Sequence, residues 1–259
     1  MDFNHFLTSY MPNPNVGSKV HFQNMIDQSI LAEKLGYKKV SIPEHHLINL
    51  LMMPSPLQMA VKIASLTKNI SISTSVAVLP LHDMRTYAGE VATADILTDG
   101  RLILGVARGA FPWEMKRLGT PIEHSKEKFT ESLEVLQKLL SEEEVSFSGK
   151  YYNFEALTIM PRPITQPIPI MIAAMDPKSI KNAALRGFHV QSTVLSGTRE
   201  LLMERVNAFR DGCEELREKG KLLKLSMQRM MFVAKDEKDA EIKNKLAYEY
   251  YKRFDNMFI

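Results

Sequence analysis

A chain of 259 residues with 45% hydrophobic content can bury a sizeable core, and at that length it can still be one domain if it closes as a barrel. Its 33 basic and 30 acidic residues leave a formal charge of +3 without any long Lys/Arg block, which argues against a nucleic-acid partner. Cys213 is the only cysteine, so an intramolecular disulfide and a thiolate metal site are excluded, and a reducing cytoplasm is the expected location.

The N-terminal "MDFNHFLTSY" carries no basic leader ahead of an apolar stretch, and no apolar run approaches the roughly 18 residues that span a bilayer. A soluble, unexported protein with no membrane partner is expected. In chain order, strand-like runs alternate with amphipathic ones. The strand at 3–9 precedes a helix over 19–37, where Phe22, Ile26, Ile30 and Leu31 recur at helical spacing. Strands at 38–43 and 70–80 precede helices at 54–68 and 85–100. The strand at 101–107 leads through a long polar connection to a helix at 125–140. Segment 141–167 reads as an inserted loop or hairpin, with "SG" between aromatic-rich stretches and three prolines at its end. Strands at 168–174, 188–194 and 224–234 then precede helices at 177–187, 198–220 and 238–254.

Strict alternation predicts a parallel sheet covered by helices, doubly wound or closed, and seven strand–helix pairs favour a barrel. A TIM barrel needs eight, and "FDNMFI" stands where the eighth would begin. The expectation is therefore one α/β barrel domain over 1–259, lacking the eighth strand and helix and truncated at its C-terminus.

"IPEHHL" places Glu44, His45 and His46 at the carboxyl end of the second strand, where a parallel barrel opens its active-site mouth. The residues fit either a loop of exposed histidines or a proton-transfer site, because imidazole titrates near neutrality. A metal is not expected, since successive residues on extended chain point to opposite faces and no His-x-His or His-Glu-x-x-His spacing is present. In "GVARG", Arg108 can grip a phosphate or carboxylate, or pair on the barrel rim. In "AAMDPKS", Asp176 reads as a helix N-cap, Pro177 as the first helical residue and Ser179 as a first-turn hydroxyl. That helix start offers N–H groups to an anion, although a capping carboxylate competes for the same positive end. Gly-x-Gly-x-x-Gly, Walker and Gly-x-Ser-x-Gly motifs are absent, which removes weight from Rossmann, P-loop and serine-hydrolase chemistry.

Taken in order, "FNHFLTSYMP", "IPEHHL", "STSVAVLPLH", "LTDGRLILGVARG" and "PIMIAAMDPKSIKNAALRG" resemble the bacterial luciferase-like family of flavin-dependent monooxygenases, from the first strand to about residue 235. The resemblance implies a TIM (β/α)8 barrel with reduced FMN as cosubstrate over the mouth, reacting with molecular oxygen to form a flavin hydroperoxide. The substrate it implies is small and apolar, such as a long-chain aldehyde. A separate NAD(P)H-flavin reductase and a homodimer or heterodimer are the implied partners.

The family's active-site histidine falls on His45, with His46 and Glu44 as supports. Its phosphate-binding arginine falls on Arg108, a second arginine on Lys126 and a phosphate-binding threonine on Ser179. Asp176 replaces a family serine, a departure that bears on phosphate affinity. Ser75 and Val76 fall on a nonprolyl cis peptide beside the flavin ring, Phe6 and Met175 complete the cofactor-binding set, and Ala107 stands where luciferases carry a reactive cysteine. Two alternatives share the fold: a deazaflavin-dependent oxidoreductase, and a flavin-binding protein without turnover. The "EHH" run argues against the latter.

Overall fold

The computed structural model describes residues 1–11, 13–48, 51–193 and 197–255. The elements run β1 (Asn4–Phe6), α1 (Ser18–Lys34), β2 (Lys39–Ile42), α2 (Pro56–Ala64), β3 (Ser71–Thr74), β4 (Ala77–Val78), α3 (Met84–Leu97) and β5 (Leu102–Ala107). They continue with α4 (Pro112–Arg117), α5 (Ile122–Ser141), β6 (Val145–Ser148), β7 (Asn153–Leu157), β8 (Ile170–Ala173), α6 (Pro177–Leu185), β9 (His189–Thr193), α7 (Arg199–Glu215), β10 (Leu225–Gln228) and α8 (Glu237–Asp255).

One parallel sheet has the order β1-β2-β3-β5-β8-β9-β10, with β4 also paired to β5. This is the nearly closed barrel that the alternation predicts, and helices return the chain between its parallel strands. Among the described residues β1 and β10 are not paired. They do lie close, since Lys224 Nζ, just before β10, is 3.2 Å from Asp2 Oδ2, just before β1.

Alternation along the strands sorts side chains between two environments. Val40, Ile42 and Ile72 face outward and pack with Met25, Met59 and Ile63 of the covering helices. Each fully buried side chain of this type is worth about 1.5–3 kcal/mol. The intervening residues point into the barrel: Ser41 and Ser73 share a hydrogen bond of 3.0 Å. Lys39 crosses the interior from β2 to put its ammonium 3.7 Å from Met171 Sδ on β8. A larger apolar cluster joins α3, α5, β5 and α6 through Val91, Leu104, Leu136 and Ile180.

Two expectations change in detail. The strand read as continuous over 70–80 is interrupted between β3 and β4, where the Ser75–Val76 peptide is cis. There β5 approaches so closely that a Cβ on Gly105 would collide with the Thr74 carbonyl oxygen. The run read as strand over 224–234 forms strand only at β10, and Met231, Phe232 and Val233 are exposed.

The segment after α5 forms an antiparallel β6–β7 hairpin. Glu131 anchors its turn by accepting the N–H groups of Lys150, Tyr151 and Tyr152. The following stretch is tied down by buried Asp95, which accepts from the N–H groups of Ile164 and Thr165 at 2.8 Å each. Among the described residues no helix is long and apolar enough to cross a membrane.

Candidate active site

Glu44 follows β2 and is buried at the carboxyl end of the barrel. Its Oε1 accepts hydrogen bonds from His46 Nε2 at 2.7 Å and His82 Nε2 at 2.8 Å, while Oε2 accepts the Val78 N–H at 3.2 Å. Burial pushes this carboxyl's pKa up, but the two imidazole bonds outweigh it and hold the group below its ordinary value. The same bond raises the His46 pKa against the opposing effect of burial. Glu44 is thus an anion bridging two imidazoles. The His82 ring stacks on buried Tyr87 with centroids 4.3 Å apart, which fixes the second imidazole.

The three donor atoms of Glu44, His46 and His82 lie within 4.8 Å of one another, close enough to share a cation. Glu44 and His46 come from one strand end and His82 from the start of the next connection, a combination that no His-x-His or His-Glu-x-x-His spacing marks. Hydrogen bonds alone satisfy all three groups in this arrangement.

His45 points away from that trio. Its backbone N–H donates to the Met53 carbonyl at 2.8 Å, and its ring meets Phe111 edge-on with centroids 5.2 Å apart. Nδ1 is buried without a hydrogen-bond partner and lies 3.7 Å from Oε2 of buried Glu114. The other oxygen of Glu114 accepts the backbone N–H of His46. Three residues on, Arg117 donates to the Leu47 carbonyl at 3.0 Å while its guanidinium lies 4.9 Å over the Trp113 ring. The short helix α4 therefore clamps the 44–47 turn at two points. Leu47 sits at φ 57, a conformation costly for a branched side chain, and the clamp holds it there. Phe111, Tyr10 and Leu51 form a buried apolar patch beside the turn, and Tyr250 of α8 closes on Tyr10 edge-on with centroids 4.8 Å apart.

The other predicted site residues divide into groups. Asp176 and Ser179 come together, and bonds from Ser179 chiefly lower the Asp176 pKa, with a small contribution from the charge of Arg108. Asp176 caps α6 by accepting the Ser179 N–H at 2.9 Å. Ser75 is buried and its hydroxyl meets the Gln191 amide of β9 at 2.8 Å. Half-buried Phe6 ends β1, and exposed Met175 receives the Ser192 hydroxyl at 3.8 Å on sulfur. Lys126 lines a hollow with Glu123, Glu127 and Glu134 between α5 and the β6–β7 hairpin.

The luciferase-like monooxygenase profile matches residues 1–257 of the chain. The chain belongs to the luciferase-like monooxygenase family. Within this family it is 28% identical to the oxygenase component of flavin-dependent trigonelline monooxygenase from Acinetobacter baylyi, over 92% of this chain and 66% of that protein. It is also 31% identical to an F420-dependent glucose-6-phosphate dehydrogenase from Kineococcus radiotolerans, over 73% of this chain and 58% of that one. The crystal structure of monooxygenase RslO1 from Streptomyces bottropensis superposes with a TM-score of 0.88 at 26% identity, covering 98% of this chain and 78% of its own. The chain spans about six tenths of the length of these curated relatives.

Glu114, His82 and Gln191 escaped the sequence reading. His82 carried a signal, because it follows the third strand region much as His46 follows the second. Glu114 carried none, since it lies in a stretch read as polar connection.

Proposed function

We propose that this chain is the oxygenase component of a flavin-dependent monooxygenase. It would use reduced FMN and molecular oxygen to oxidise a small apolar substrate in the cytoplasm, with a separate NAD(P)H-flavin reductase supplying the flavin. The observation that carries this reading is His45, a histidine with an unpartnered buried Nδ1 facing a buried carboxylate at the carboxyl ends of the strands.

The residues at the mouth fit a flavin mononucleotide in kind. Exposed Arg108, which follows β5 and whose charge reaches the Asp176 cap of α6, offers a cation to the phosphate, while Phe6, Ser75, Val76 and Met175 border the same end of the barrel. Asp176 is the misfit, because its carboxylate occupies the helix end that an anion would use. When bound, reduced FMN supplies the electrons that activate oxygen. The chain's own contribution is to bind, orient and dry the site. His45 is the proton-handling group, with Glu114 setting its ring orientation, and Glu44 fixes His46 behind it. Phe111, Tyr10 and Leu51 exclude water from that face.

Rapid mixing of reduced FMN with oxygen tests the reading. The protein should delay flavin reoxidation through a species spectrally distinct from free reduced and oxidised FMN, and reoxidation at the free-flavin rate would refute it. A second reading, a deazaflavin-dependent oxidoreductase, is favoured by the 31% identity to the F420-dependent dehydrogenase. Titration with F420 and with FMN separates the two by relative affinity.

A further inference from the structure

At the amino ends of β8 and β9, opposite the candidate active site, lies a groove of about 760 Å³. That volume falls in the range of small-molecule sites. Its walls are aliphatic: Leu140 of α5, Ile168, Leu185 of α6, and Leu216, Leu222 and Leu223 after α7. Phe188 is the one Phe, Tyr or Trp side chain among the described lining residues. Such walls suit a flexible methylene chain better than a flat ring system, which gains most from aromatic faces.

The charge of the groove has one sign. Arg186 and Lys219 supply it, His189 adds an uncharged imidazole, and no Asp or Glu lines the groove among the described lining residues. The acids nearest in sequence are engaged elsewhere: Glu215 pairs with Lys181, and Glu218 with Lys221 at 2.7 Å. Behind His189 stand Lys224, whose N–H donates to His189 Nδ1 at 3.1 Å, and the buried Lys39. Burial first, and these two lysines next, push the His189 pKa down, so with Nδ1 taken by the Lys224 N–H the ring offers a carboxylate a neutral Nε2–H donor, and Lys224 itself is paired with Asp2. Arg186 is held over Phe188 at 5.0 Å, at the junction of the apolar wall and the charged rim.

We propose that this groove is a binding site for an aliphatic carboxylate, its chain along the leucine wall and its head on Arg186 and His189. A planar guanidinium matches a carboxylate, and burial of the chain supplies the bulk of the affinity. The site is separate from the flavin mouth and does not depend on the proposed oxygenase reaction.

Calorimetric titration of the intact protein with decanoate, decanol and decyltrimethylammonium, all below micelle-forming concentrations, tests this. Decanoate should bind at least about 10-fold more tightly than decanol, with the ammonium weakest, since a charge-assisted bond is worth about 1.5–3 kcal/mol. Arg186→Gln should remove the preference for decanoate over decanol, and Leu222→Asp should weaken both. Both side chains are exposed, and thermal melts of each variant verify the fold. His45→Ala should leave decanoate binding unchanged. Equal affinity for decanoate and decanol, binding indifferent to the two groove variants, or absence of binding up to millimolar concentration would overturn the proposal.

Discussion

Glu114 faces His45 across 3.7 Å from one carboxylate oxygen while the other holds the backbone N–H of His46, so a single buried acid sets both the position of the turn and the environment of its first histidine. This makes Glu114 a positioning residue. Glu114→Gln keeps the volume and an acceptor for the His46 N–H but removes the charge facing Nδ1. Oxygenation should fall about 10- to 100-fold, as for supporting groups behind other functional imidazoles, with FMN affinity nearly unchanged. A double-mutant cycle reads the coupling: in a His45→Ala background, itself lowered at least about 100-fold, the second change should add little. Additive losses would show that Glu114 acts only through stability.

The phosphate end of the site gives opposite expectations for two neighbours. Arg108→Ala should weaken FMN by roughly 10-fold or more and leave riboflavin almost unaffected, because only the phosphate uses a charge-assisted bond. Asp176→Ser should strengthen FMN several-fold by removing like charge from the α6 N-terminus, an effect of about 1 kcal/mol, while serine still caps the helix. Fluorescence titration with both flavins distinguishes them. Parallel shifts for FMN and riboflavin would place the phosphate elsewhere.

Much of this was legible because barrels write themselves as alternating patterns. The order of strands and helices, and the position of "EHH" at a strand's carboxyl end, follow from periodicity and from the rule that parallel barrels open there. What closes the site was not legible. Glu114 acts through the six-residue helix α4, too short for a periodic signal, and reaches back 68 residues to His46. Gln191 meets Ser75 across 116 residues of chain, a contact that no local pattern encodes. The break between β3 and β4 was hidden because strand-favouring residues, Thr74 and Val76 among them, continue through it, and the close approach of Gly105 to Thr74 there is a contact across the sheet that no local pattern shows.

The Glu44–His46 pair makes stability depend on pH from both sides. The Glu44 pKa is lowered in the folded chain, so its contribution is present above the ordinary value of 4.5 and is lost as pH falls through the folded value. The His46 pKa is raised, so its contribution is full below the ordinary 6.5 and is lost as pH rises through the folded value. Both operate fully only between these limits. His46→Gln should therefore lower the melting temperature most near pH 5.5 and converge on the parent protein in alkali. A deficit that is constant with pH would mean that packing, not the ion pair, is what the substitution removes.

Lys39 offers the cleanest test of a cost carried inside the barrel. Its side chain is 7% exposed, and its hydrogen-bond acceptor is the thioether of Met171. Burial, with a smaller contribution from Lys224, pushes its pKa down to about 8 from an ordinary 10.5. The unfolded chain then binds more protons than the folded one between those values, so this residue makes stability rise with pH across that window. Below pH 8 the penalty is fully present, and a shift of about 2.5 units at 1.36 kcal/mol each sets an upper figure of about 3 kcal/mol. Lys39→Met replaces the ammonium with an apolar chain of similar length that can still pack on Met171. Urea unfolding should show it about 1–3 kcal/mol more stable than the parent at pH 7, with the gap narrowing toward pH 10. If the variant is instead less stable at pH 7, or the gap does not change with pH, then the interior ammonium has a favourable partner and its charge is retained for binding.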